Sequence, residues 1–160
     1  MVLQRNTDIT LWGWANADEE IFIKVLWLND PLEVTADKNG NWSLKIKTTL
    51  SKEAQSIHIK SKESDILLEN ILFGEVWLCS GQSNMQHPVK GLPGQPTFGS
   101  QKAMLNSRNP NLRLFSVGRV GPITPLKDLR AYEPWKEASS NNVAGFSAVG
   151  YFFESHSKNC

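Results

Sequence analysis

Trp42, Leu44 and Ile46 alternate with Ser43, Lys45 and Lys47, and a period of two with one apolar face predicts a half-buried strand. The segment Asp37-Lys-Asn-Gly-Asn41 precedes it. Asn-Gly tolerates positive φ, so the run Leu32 to Ala36 is expected to pair with that strand as a hairpin. Further strands are predicted at Ile9 to Ala15, Ile21 to Leu28, Gln55 to Lys60 and Asp65 to Leu72. Short strands at this spacing, separated by turn signals, point to a small antiparallel β-sandwich over residues 1–72.

The texture changes at Gly74. Glu75-Val-Trp-Leu-Cys79 is nearly continuous and apolar, as in a strand buried on both faces, and the small polar residues Ser80-Gly-Gln-Ser-Asn84 end it in a turn. Prolines and glycines make His87 to Thr97 a loop, with a short helix expected around Ser100 to Ser107. Leu112 to Val117 is a second strand of α/β type. Gly118 to Pro134, with Pro122, Pro125 and Pro134, reads as a long irregular connection. Ser147 is placed to cap a helix running through Ala148, Tyr151 and Phe152.

Composition narrows the function classes. The 160 residues suffice for one ordinary domain or two small ones, and 40% apolar with 21% charged residues is a core-forming composition. A formal charge of +1 lacks the basic excess that phosphate-backbone binding requires, so nucleic acid is not an expected partner. The longest strongly apolar stretch, Phe146 to Phe153, falls well short of the about 20 residues of a membrane-spanning helix, so no membrane insertion is expected. Met1-Val-Leu-Gln-Arg-Asn6 has no signal-peptide pattern. The two cysteines, Cys79 and Cys160, have no metal-ligand spacing, and Cys79 within the apolar run reads as a small buried hydrophobe. Four of the six tryptophans, Trp12, Trp14, Trp27 and Trp42, precede residue 50 and read first as sandwich core, with a sugar platform as the alternative.

Chemistry is expected at Ser83. A serine at the turn leaving a buried strand occupies the place where an open α/β sheet holds ligands. A hydroxyl is a weak nucleophile at neutral pH and needs a histidine within hydrogen-bond reach. The three histidines, His58, His87 and His156, each read more readily as solvated imidazoles than as that base.

The block Gly74-Glu-Val-Trp-Leu-Cys-Ser-Gly-Gln-Ser-Asn-Met85 resembles the first signature of the sialate O-acetylesterase family, a branch of the SGNH hydrolases with a G-Q-S-N-M nucleophile motif. Met1 to Arg5 with Leu11-Trp-Gly-Trp14 resembles the opening of the family's β-sandwich. Trp135-Lys-Glu-Ala138 and Asn142 to Phe153 resemble its next block, whereas Glu154 to Cys160 departs from it.

The resemblance implies a β-sandwich accessory domain over 1–72 and, over 73–160, the start of an SGNH-type, flavodoxin-like α/β esterase domain, incomplete here. It implies Ser83 as nucleophile and oxyanion donor, Gly145 as a second oxyanion N–H, and Gln82 and Asn84 as substrate contacts. Gly145 has the alternative of a turn glycine needing positive φ, and the two amides that of satisfying turn backbone. Met85 and Trp77 read as core. The implied partner is an O-acetylated sugar, sialic acid or a relative, with no cofactor or metal. The family's D-x-x-H pair, carrying acid and base, is absent, so a truncated and inactive fragment is expected. Full-length members are expected to be secreted, periplasmic or lysosomal. The runner-up is a non-catalytic sandwich that binds carbohydrate or another domain.

Overall fold

The alternating runs of the first 74 residues form β1 (Val2–Gln4), β2 (Asp8–Trp14), β3 (Glu20–Val25), β4 (Leu32–Thr35), β5 (Asn41–Lys47), β6 (Gln55–Lys60) and β7 (Asp65–Gly74). This computed structural model describes residues 1–118, 126, 128–129 and 132–157, with side chains through Glu154. It is strand-rich and divides into two units, Met1–Val76 and Trp77–Cys160.

In the first unit the strands make a five-stranded sheet, ordered β1-β7-β6-β3-β4, and a two-stranded sheet, β2-β5. β1 runs parallel to β7 and the other pairs are antiparallel. Both sheets feed one core. Ile21, Ile23 and Val25 from β3, Ile57 from β6 and Ile71 from β7 meet Trp42 and Ile46 from β5. Each such aliphatic side chain contributes about 1.5–3 kcal/mol by leaving water.

The expected hairpin between Leu32 to Ala36 and the strand from Trp42 does not form. β4 pairs with β3, matching Ile21 to Val34 and Ile23 to Leu32, while β5 pairs with β2. Trp42 is the physical reason. Its indole needs a gap opposite, and Gly13, its register partner, supplies one: a Cβ at Gly13 would lie 2.8 Å from the Trp42 ring. β4, Leu-Glu-Val-Thr, has no residue that small. The Asn-Gly turn instead becomes a corner that hands the chain from one sheet to the other. The Asp37 carboxylate accepts the Asn39 and Asn41 N–H groups at 2.8 and 2.9 Å. Gly40 takes φ +78°, and its carbonyl accepts the Ala15 N–H at 2.9 Å. A Cβ on Gly40 would meet the Ala15 carbonyl oxygen at 2.4 Å. Gly40→Ala should therefore cost more than the about 1–2 kcal/mol of a left-handed alanine. Urea denaturation followed by near-ultraviolet circular dichroism would check it, and an unchanged midpoint would refute the corner's role.

The first unit closes at its end through Glu75. Gln4 Nε2 donates to one carboxylate oxygen at 2.8 Å, Arg5 Nε to the other at 2.7 Å, and Gln4 Oε1 accepts the Val76 N–H at 2.8 Å. The Gln4 hydrogen bond, then Arg5, holds the exposed Glu75 carboxyl below its ordinary range.

The second unit contains α1 (Ser83–Gln86), α2 (Ser100–Leu105), β8 (Asn109–Val117), β9 (Tyr132–Ala138), α3 (Ser140–Ala144) and α4 (Ala148–Ser157). Its core gathers Val89, Leu114, Ala138, Val143, Ala148 and Tyr151. Burial, and secondarily Glu154, pushes the Tyr151 hydroxyl above its ordinary range. The helix expected near Ser100 and the α4 helix beyond Ser147 are both present. Leu112 to Val117 is a strand, but it is antiparallel to β9, a strand the sequence pattern missed. Pro134 reads as a breaker. It sits where the β8–β9 register shifts, a place in a ladder that can lack an N–H. Most of the expected irregular connection Gly118 to Pro134 lies outside the described residues, and its end, Tyr132 to Pro134, is strand.

The expected buried strand at Val76 to Cys79 is absent. These residues carry no strand pairing and are exposed, Leu78 to 91% and Trp77 to 57%. An apolar run becomes a strand only when a neighbouring strand pairs with its backbone, and here no described strand does so, the Val76 N–H going instead to the Gln4 side chain. Cys79 is correspondingly exposed rather than a buried hydrophobe, and Trp77 is not core.

Candidate active site

The turn expected at Ser80 to Asn84 leads into a single helical turn. Gln82 is the N-cap of α1 and Ser83 its first residue, and the Gln82 carbonyl accepts the Gln86 N–H at 3.2 Å. Gly81 lets this turn close, because a Cβ there would stand 3.0 Å from Met85 Cβ. Gln82, Ser83 and Asn84 all face solvent. The Ser83 hydroxyl meets no imidazole and no carboxylate among the described residues. His58 belongs to β6 of the first unit and contacts Asp65 at 2.5 Å through Nε2, which lowers the Asp65 carboxyl. His87 is half-buried. The His156 side chain lies outside the described residues.

The residues after the turn are sewn to the segment that follows α3. Lys90 N–H donates to the Ala144 carbonyl at 3.0 Å, Val89 N–H to Phe146 at 2.9 Å, and Ala148 N–H to His87 at 2.8 Å. Pro88 and Ser147 form a bridge. Ser147 does two things at once: its Oγ accepts the Gly150 N–H at 3.2 Å, capping α4, and donates to Met85 Sδ at 3.4 Å. Two sequence blocks about sixty residues apart thus become one surface, with Ser83 at one margin. Gly150 allows close packing, since a Cβ there would be 3.4 Å from both Cys79 Sγ and Phe146. The cap at Ser147 was legible in the sequence. Its second partner, Met85, was not, because nothing local links them.

Gly145 lies between Ala144 and Phe146, inside this stitched segment. Its φ is −89°, so the alternative of a glycine required by positive φ does not hold. Its N–H points to the Val143 carbonyl, and a Cβ would meet nothing within 4 Å. That open space leaves the residue approachable from solvent. Among the described residues no group of three or more His, Cys, Asp or Glu is placed to hold a metal ion.

Comparison with known proteins gives the chain its relatives. No family model matches the chain. Human sialate O-acetylesterase is 34% identical over 96 residues, 56% of this chain and 17% of that protein. The mouse sialate O-acetylesterase is 23% identical over 154 residues, 89% of this chain and 28% of that protein. The crystal structure of a carbohydrate acetylesterase from Xanthomonas citri superposes with a TM-score of 0.87 at 27% identity, covering 97% of this chain and 34% of that one. The chain is similar to the sialate O-acetylesterases. It spans about a sixth to a third of the length of these relatives. The esterase class named for these relatives is the frame for the chemistry proposed below.

Proposed function

We propose that these residues form the nucleophile-bearing part of a serine-dependent carbohydrate O-acetylesterase acting on sialic acid or a related sugar. On this reading residues 1–72 are a β-sandwich accessory domain, and 73–160 begin the SGNH-type α/β hydrolase domain. The supporting observation is the stitching of the Ser83 turn to Ala144–Ala148, which gathers nucleophile and oxyanion-donor blocks into one unit.

In the mechanism, the Ser83 hydroxyl attacks the acetyl carbonyl as a histidine removes its proton. The Ser83 and Gly145 N–H groups receive the developing oxyanion, for which Gly145 turns its N–H away from Val143. The tetrahedral species collapses to an acetyl-Ser83 ester with release of the sugar alcohol, protonated by the same histidine. Water activated by that base then frees acetate. Gln82 and Asn84, exposed beside Ser83, contact sugar hydroxyls. The base and its orienting acid belong to the D-x-x-H element of a polypeptide of the relatives' length. The reading calls for no cofactor.

The test replaces the matching third of the Xanthomonas citri enzyme with this chain and measures acetate release from O-acetylated N-acetylneuraminic acid. Release that falls by about 10³-fold or more in Ser83→Ala is expected, as for other nucleophile deletions. Release that survives the substitution would overturn the assignment.

A further inference from the structure

Two of the four early tryptophans do not serve as core. Trp42 is buried and Trp27 half-buried, whereas Trp12 is 47% and Trp14 56% exposed. The alternation along β2 turns Ile9 and Leu11 inward and Thr10, Trp12 and Trp14 outward. The outer indoles are not loosely placed. Gly13, between them, packs directly over the Trp42 ring and so pins the backbone of β2 to the core. The two rings meet edge to face, with centroids 5.1 Å apart and planes at 89°. One indole thus presents a flat apolar floor and the other a wall at right angles to it. Neither indole N–H has a partner among the described residues.

The neighbours on this face are polar. Cross-strand, Asn41 lies opposite Trp14, Ser43 opposite Trp12 and Lys45 opposite Thr10. Lys45 is exposed and enters no ion pair among the described residues, while the acid on the row, Asp8, stands opposite Lys47. A ligand matching this surface needs a rigid ring with one apolar C–H face, a rim of hydroxyls, and a negative charge a few ångströms from the ring. A carboxylated pyranose has all three. Its C–H face stacks on an indole, its hydroxyls meet Ser43, the indole N–H groups and the amide oxygen of Asn41, whose Nδ2 is already held by Asp37, and its carboxylate meets Lys45. A flat protein partner would use the indoles but would leave Ser43 and Lys45 without a counterpart. The geometry points to the outer face of β2-β5 as a binding surface for an acidic, carboxylate-bearing glycan, built from residues of the first unit alone and independent of the Ser83 chemistry.

The 160-residue chain is labelled with ¹⁵N and titrated with 3′-sialyllactose, with lactose as the neutral counterpart. The indole resonances of Trp12 and Trp14 should move and those of Trp42 and Trp27 should not, with a dissociation constant on the order of 1 mM for so shallow a site. Trp12→Ala and Trp14→Ala should each weaken binding about tenfold. Lys45→Gln should bring sialyllactose down to the affinity of lactose. Both rings are exposed, and unchanged shifts of core amides would confirm that the variants fold. The wild-type titration decides by itself should a variant not. Stationary Trp12 and Trp14 resonances would overturn the proposal. So would equal affinity for both sugars, or concentration-dependent changes at these indoles without sugar, which would make the face a contact between copies. Ser83→Ala should leave the titration unaltered, so this result and the esterase assay fail or succeed separately.

Discussion

The 160-residue chain alone should hydrolyse p-nitrophenyl acetate no faster than its own Ser83→Ala variant. Ser83 is exposed, and no imidazole or carboxylate among the described residues meets its hydroxyl. Loss of general-base assistance alone costs about 10²- to 10⁴-fold. On the proposed reading the second oxyanion donor is also unprimed, because the Gly145 N–H points to the Val143 carbonyl. A pH–rate profile with the Ser83→Ala control would separate surface lysine and histidine background from true turnover. Robust Ser83-dependent hydrolysis would mean that a histidine of this chain reaches the nucleophile, and His87→Ala and His156→Ala would then identify it.

Ile57→Ala should largely unfold the first unit while sparing the second. Ile57 is fully buried at the centre of the five-stranded sheet, between Val25 of β3 and Leu68 of β7. Truncating such a residue costs about 2–5 kcal/mol. A unit of this size sits near the lower end of the usual 5–15 kcal/mol, so the loss removes most of its stability. Amide hydrogen exchange gives a residue-level reading: protection in β3, β6 and β7 should collapse, and protection at Val89, Val143 and Tyr151 should persist. Equal loss in both regions would mean that the chain unfolds as one cooperative body. In the wild-type chain the same independence predicts a protease-resistant fragment ending near Leu72 to Gly74.

Much of the first unit was legible because its strands announce themselves locally. Gln55 to Lys60 is strand at both ends as read, and the runs at Ile9, Ile21 and Asp65 are strands within a residue or two at their starts. Pairing was not legible. Which strand lies beside β5 depends on the fit of Trp42 over Gly13, a match between residues distant in sequence that periodicity cannot express. The apolar run at Val76 to Cys79 misled for a related reason: hydrophobicity states a wish for burial, and partners decide whether it is granted. At the candidate site, the motif pointed to Ser83, and the cap at Ser147 was read correctly. Their meeting through Met85, Pro88 and Val89 belongs to the fold of the second unit and leaves no local trace.

The parallel pairing of β1 with β7 gives the first unit a direction. The chain enters at one end of this two-strand contact and leaves at the opposite end, near Gly74. Tension applied between the entry and the exit therefore runs along the strands. It loads the bonds from Arg5 N–H to the Gly74 carbonyl and from Leu72 N–H to the Met1 carbonyl together, in shear, rather than opening them one after another. The Glu75 clamp on Gln4 and Arg5 lies on the same load path. A tether pulling on Val76 would thus meet its resistance at the outset, in three residues of β1, before any of the isoleucine core is exposed.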